Sequence, residues 1–173
     1  GGLLQEEYNG YQVPPALQDT SQLVFVGNEL NPIGGFLSRF PDLNLPSLGM
    51  PFYGATPDDN YPTFNYTLEY DGFADFPRYP MNFLSVLNAA LGIGFVHVKY
   101  ADPTYLTIAD VTPISRGGTA IELPTTSPTQ NYYFIRTENL PLLEPLRWVP
   151  VIGNPLADLI QPVLKVIVDL GYG

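Results

Sequence analysis

The sequence predicts an α/β fold, and three observations carry that reading. Leu23-Val24-Phe25-Val26-Gly27 is a continuous apolar run closed by Gly and Asn, with Pro shortly after, which is how a buried parallel strand reads. Thr63-Phe64-Asn65-Tyr66-Thr67-Leu68-Glu69-Tyr70 is rich in β-branched and aromatic residues and reads as a second strand. Pro80 to Gly92 then carries apolar residues at helical spacing. Strands alternating with helices argue for α/β rather than all-β.

The elements follow in order. Leu3 to Tyr8 is expected to be the end of a helix. After the first strand, Asn31-Pro32-Ile33-Gly34-Gly35 is a loop, and Phe36 to Phe40 is a short helical turn or an extended piece. Pro41 to Pro62 is a long irregular segment of the kind that forms lids or binding loops. The second strand ends at Asp71-Gly72. In the helix that follows, Pro80 suits the first turn and Gly92 the C-cap. Phe83, Leu84, Leu87 and Leu91 share one face. Further strands are expected around Tyr105 to Ala109 and over Tyr132 to Arg136, with Arg116-Gly117-Gly118 as a turn. The last forty residues read as helical turns separated by Pro, clearest over Leu156 to Ile160 and Val163 to Leu170.

Composition excludes several functions. The 173 residues suffice for one domain with its own core. Hydrophobic residues are 45% and charged ones only 14%, against roughly 25% in a typical soluble domain. Neutral polar groups, Pro, Gly and Tyr must therefore build much of the surface, which suits work near lipids or a cell envelope. Formal charge is -10 at pH 7 with 7 Lys and Arg. No basic patch for nucleic acid can be assembled from so few cations, and docking to anionic headgroups is disfavoured. With no cysteine, disulfides, thiolate catalysis and Cys-zinc sites are excluded. No uninterrupted run of about 18 apolar residues is evident, so no spanning helix is expected. Nor is a signal peptide. Asp58-Asp59-Asn60 could meet a cation but reads more simply as a solvated loop. No cofactor motif is present.

Chemistry concentrates in two places. His97 is the single histidine and follows a helix in a short Gly-flanked segment. A lone histidine is often structural. Its partner candidates lie in Asp71-Gly72-Phe73-Ala74-Asp75-Phe76-Pro77, directly after the second strand. A triad acid must hold one imidazole nitrogen so that the other can act as base. Asp75 is the preferred acid, with Asp71 as the alternative; both also suit capping of the following turns. None of Ser21, Ser38, Ser47, Ser85, Ser115 and Ser127 has Gly at both flanking positions, and none sits between an apolar strand and a helix. A nucleophile elbow is therefore not legible.

Taken in order, several segments resemble the PE-PPE domain of mycobacterial proteins. They are Asn31 to Phe40, Tyr70 to Pro80, Phe83 to Ala89, the surroundings of His97, Leu140 to Arg147 and Val166 to Tyr172. The resemblance runs from about Leu23 to the end, which makes residues 1–173 the C-terminal part of one such domain. It implies an α/β-hydrolase-like fold of cutinase type, incomplete here, with the N-terminal strands and nucleophile elbow upstream of Gly1. It implies a serine esterase or lipase, or an acyltransferase, on acyl esters of cell-envelope lipids. His97 matches the family's histidine, with Asp75 or Asp71 as acid. A secreted or cell-envelope location is implied, with a lipid or small acyl ester as substrate. The upstream half, joined or as a separate chain, would complete the sheet, and without it the chain is expected to be unstable or to associate. The competing reading is an inactive lipid- or protein-binding module.

Overall fold

The computed structural model describes residues 22–40, 44–45, 50–51, 55 and 61–173. The expected helix end at Leu3 to Tyr8, most of the Pro41 to Pro62 segment, Asp58-Asp59-Asn60, Ser21 and Ser47 lie outside them. The sheet is four-stranded and mixed. β1 (Leu23–Val26) pairs in parallel with β4 (Thr63–Leu68), Leu23 opposite Thr63. β4 pairs in parallel with β6 (Gln130–Ile135), Thr63 opposite Gln130. β5 (Ile121–Leu123) adds to β6 in antiparallel sense. A separate pair joins β2 (Asn44–Leu45) to β3 (Met50–Pro51). The helices are α1 (Phe36–Arg39), α2 (Phe83–Phe95), α3 (Ile108–Val111), α4 (Glu144–Arg147) and α5 (Gly153–Tyr172).

Alternation along β4 separates two kinds of surface, because successive side chains point to opposite faces. On one face Leu68, Tyr133 and Ile135 are buried with Val96 and Ala120. Tyr66 stacks on Tyr133 at 4.8 Å between ring centroids. On the other face Thr63, Asn65, Thr67 and Gln130 are buried polar residues. Asn65 Nδ2 donates to Gln130 Oε1 at 3.2 Å, and Asn31 Nδ2 to Thr67 Oγ1 at 3.3 Å. This pairing is what a buried polar face requires.

β1 is parallel as expected, but only Phe25 is buried; Val24 and Val26 are mostly exposed. Strand character came from the apolar run, whereas burial depends on what covers each face. The expected strand at Tyr105 to Ala109 is instead a turn leading into α3. Thr107 and Asp110 form a reciprocal capping box that starts the helix there. β5 escaped the sequence reading because it is only three residues long.

α2 is stabilised at its start by Asn82, whose side chain accepts from the Ser85 amide. Pro80 therefore lies outside the first turn. Gly92 lies inside the helix and does not cap it. The apolar stripe is not the buried face. Ser85, Asn88, Ala89 and Gly92 face inward, while Phe83 is 77% exposed and Leu87 also faces outward. Small inward residues allow close approach to α5, and Ser85 Oγ donates to Val168 O at 2.6 Å. Asn82 Nδ2 donates to Ile167 O at 2.7 Å.

Phe83–Ala101, α2 and the 3-10 turn after it, is 19 residues with mean hydropathy 1.3, long and apolar enough to cross a membrane by length and composition. The sequence reading missed this because glycines and His97 interrupt the run. The inward row fits the segment equally as a domain helix.

α5 is continuous through Pro162 rather than broken into turns. Pro162 is exposed, so its ring and the carbonyl it leaves unbonded face solvent. Packing of Ala157 and Val168 with Tyr70, Leu140 and Leu143 stabilises the helix across that defect.

Gly92 sits against the end of β4. A Cβ there would collide with the Tyr70 carbonyl oxygen, a backbone atom with no freedom to yield. We expect Gly92→Ala to cost about 1–3 kcal/mol or more. A fall in the chemical-unfolding midpoint checks this, and an unchanged midpoint would contradict the close packing.

Candidate active site

The site forms beyond the carboxyl ends of the parallel strands β1 and β4, where α/β sheets place their ligands. The chain leaves β4 at Leu68 and turns sharply. The Asp71 amide donates back to Leu68 O at 3.1 Å, and the Asp75 amide to Asp71 O at 2.7 Å. Tyr70 adopts a left-handed backbone with φ 64°. For a bulky L-residue this conformation costs roughly 1–2 kcal/mol, so surrounding contacts must hold it. They are extensive. The Tyr70 ring packs with Leu140, Leu143, Ala157 and Val168. Its hydroxyl donates to Asp169 Oδ1 at 2.5 Å and accepts from Lys165. Its amide donates to Asp75 Oδ2 at 2.9 Å.

The turn aims Asp71 at His97. Both carboxylate oxygens of Asp71 lie 2.9 Å from His97 Nδ1. Asp71 is 0% exposed, and the His97 side chain retains 33% exposure. Asp71 Oδ1 also accepts from the Phe73 amide at 3.0 Å. The Tyr100 oxygen in turn accepts from the Leu68 amide at 2.7 Å. Burial, then the negative charge of Asp71, push the Tyr100 pKa well above its ordinary value. The phenol therefore stays neutral.

Three neighbours fix the imidazole. Phe73 and Tyr100 meet it edge-on at 4.9 and 5.6 Å. Gly27, at the end of β1, has φ +61°, and a Cβ there would press on Tyr100 and on His97 Cε1. Only glycine serves both the conformation and the close approach. His97 itself opens a 3-10 turn, His97–Ala101, directly after α2. With Nδ1 donating to Asp71, Nε2 is left as the acceptor nitrogen, the tautomer of a general base.

Asp75, preferred from sequence, makes no contact with His97; Asp71, the alternative, makes the contact through both oxygens. Asp75 points instead at the Tyr70 amide. Burial pushes its pKa up to about 7, opposed by the Tyr70 amide, raised further by Glu69 and Asp71, and opposed by Arg39. Among the described residues no serine reaches His97. Ser38 donates to Asn31 O and Gly35 O, Ser85 to Val168 O, and Ser115 to Glu122. No group of three or more His, Asp or Glu suited to a metal occurs among the described residues. Gly27, Phe73 and Tyr100 went unmarked in the sequence; the φ at Gly27 and the fold of the 3-10 turn, which bring them to His97, leave no local pattern.

The raised pKa of Asp75 has a definite sign. A carboxyl that binds its proton more tightly when folded adds stability below its ordinary value near 3.8, and that stability is lost as pH rises through about 7. We expect stability to fall between about pH 4 and 7. Asp75→Asn, which keeps an acceptor for the Tyr70 amide, should flatten that slope in urea titrations at a series of pH values. An unchanged slope would place the titrating group elsewhere.

The model of the PE-PPE domain family matches residues 5–173. The chain is 53% identical over 160 residues to the uncharacterized PPE family protein PPE28 of Mycobacterium tuberculosis (strain ATCC 25618 / H37Rv), across 92% of this chain and 23% of the relative. It is 47% identical over 156 residues to esterase PE16 of the same organism, across 89% and 28%. It is 33% identical over 117 residues to the diacyltrehalose acyltransferase Chp2, also of that organism, across 66% and 30%. The chain thus spans about a quarter of the length of these curated relatives. No solved structure matches it.

Proposed function

The chain belongs to the PE-PPE domain family, and on that premise we propose that it supplies the acid and base of a serine esterase or acyltransferase of α/β-hydrolase type. The observation that carries the reading is the grip of buried Asp71 on His97 Nδ1 through both oxygens. Relatives named as an esterase and an acyltransferase support the reaction class. The nucleophilic serine comes from a segment preceding Gly1, which would also complete the sheet beyond β1.

In this mechanism the serine hydroxyl attacks the ester carbonyl while His97 Nε2 takes its proton. His97 then returns the proton to the departing alcohol, leaving an acyl-enzyme. Water or an acceptor hydroxyl next gives its proton to Nε2 and attacks the acyl carbonyl, and Nε2 passes that proton to the serine oxygen as its bond to the acyl carbon breaks. Asp71 stays ionised and stabilises the imidazolium at each step. Backbone N–H groups, one adjoining the serine, would stabilise the oxyanion.

The substrate class is a lipid ester of the cell envelope, and the protein works there or is secreted. Support comes from uncharged surface. Phe83 and Leu87 of α2 are exposed, Trp148 is 69% exposed, and Leu159, Val163, Val166 and Leu170 line the outside of α5. An apolar surface of this kind suits contact with acyl chains.

A fluorophosphonate probe tests the reading. We expect the polypeptide extended by the upstream segment to gain one adduct by intact mass, on that segment. His97→Ala should lower the labelling rate by about 10²–10⁴-fold, the range for loss of a general base. Absence of labelling in the folded, extended protein would favour a binding module without hydrolase activity.

A further inference from the structure

Asp75 has no part in the proton relay, yet it bonds to the two peptide units that bracket Tyr70 and Asp71. Its carboxylate accepts from the Tyr70 amide, one residue before Asp71, at 2.9 Å. Its own amide donates to Asp71 O at 2.7 Å. Two residues lie between these bonds, left-handed Tyr70 and the Asp71 whose side chain holds His97. We propose that Asp75 is a positioning residue: by clamping left-handed Tyr70 to the turn, it aims the Asp71 carboxylate at His97 Nδ1. This goes beyond the proposed function in naming what orients its acid, and it rests on that reading.

Three features show that Asp75 is itself held. The Phe76 amide donates to Gly34 O at 2.8 Å, and Arg39 Nε donates to Phe76 O at 3.1 Å. The Phe36 amide donates to Phe73 O at 2.7 Å. The loop before α1 thus braces the turn from outside. Phe36 and Phe76 also meet edge-on at 4.8 Å. The charged groups facing Asp75 are Glu69 on the β4 exit, Asp71 on its own turn and Arg39 on α1, with Tyr172 of α5 also coupled to it. The carboxylate is thus placed among like charges and held chiefly by the Tyr70 amide. That is a costly place for an acid with only a packing role.

Removing the acceptor leaves the Tyr70 amide unpaired where its backbone is already strained. The turn then has reason to return to negative φ, and the Cα–Cβ direction of Asp71 rotates with it. A neutral acceptor of the same shape prevents this. Loss of carboxylate charge and loss of the clamp are therefore separable.

The test uses the single histidine, whose ring nitrogens give one unambiguous set of ¹⁵N NMR signals in the full chain. The wild type should show Nδ1 protonated, Nε2 bare, and an Nδ1 proton protected from exchange. Asp75→Ala should speed that exchange by about tenfold or more and mix the tautomers, while Asp75→Asn restores the wild-type pattern. Asp71→Asn is the control for the pair itself. If Asp71→Asn leaves the signals unchanged, the functional reading fails. If Asp71→Asn shifts them and folded Asp75→Ala does not, the positioning role alone fails. Should Asp75→Ala not fold, Gly34→Ala replaces it, since the new methyl group would press on Ala74 O and Asp75 Cα; normal His97 signals in that folded variant would overturn the proposal.

Discussion

A buried carboxylate facing an imidazole is the interaction on which the rest of this structure depends. Asp71 is wholly removed from solvent, and an isolated ionised carboxyl in that position would be costly. It is tolerated because His97 and the Phe73 amide converge on it. The two donors are delivered by different pieces of chain: the 3-10 turn after α2, whose Tyr100 also meets the β4 ladder through Leu68, and the turn itself. The fold must bring these pieces within a few ångströms of the strand ends. The requirement explains the sites where bulk is not allowed. Gly92 lets α2 lie on the Tyr70 carbonyl, and Gly27 lets β1 end against the imidazole.

The same demand explains why α2 is built inside out. A helix that must rest closely on a strand-end turn and on α5 needs small inward residues, and it has Ser85, Asn88, Ala89 and Gly92. Its large apolar residues are displaced to the outside, where they join the outward row of α5. Precise placement of His97 and an uncharged outer surface thus arise from one packing choice.

Much of the fold was legible in residue types, and the failures have identifiable physical causes. β4 and β6 were readable because β-branched and aromatic residues dominate them, and α2 because of its apolar spacing. The inversion of α2 was not readable, since periodicity identifies a stripe without saying which side is covered. Tyr105 to Ala109 reads as a strand, but a local capping box starts a helix there instead. Pro162 was taken as a break, yet tertiary packing carries the helix past it. At the site, His97 and the Asp71 to Pro77 turn are legible together, and of the two aspartates in that turn it is Asp71 that contacts His97. Spacing alone cannot separate them. The choice rests on the left-handed φ of Tyr70, which sends Asp71 toward His97 and leaves Asp75 beneath the turn.

The central claim is that Asp71, rather than Asp75, is the acid that works with His97. The most direct measurement is kcat/KM for a soluble acyl ester in Asp71→Asn and Asp75→Asn variants of the polypeptide extended by its upstream segment. The account predicts a loss of about 10⁴-fold for Asp71→Asn, as when a triad acid can no longer hold the productive tautomer, and a change within about tenfold for Asp75→Asn, where the amide oxygen preserves the clamp. A severe loss in Asp75→Asn with near-normal activity in Asp71→Asn would contradict it.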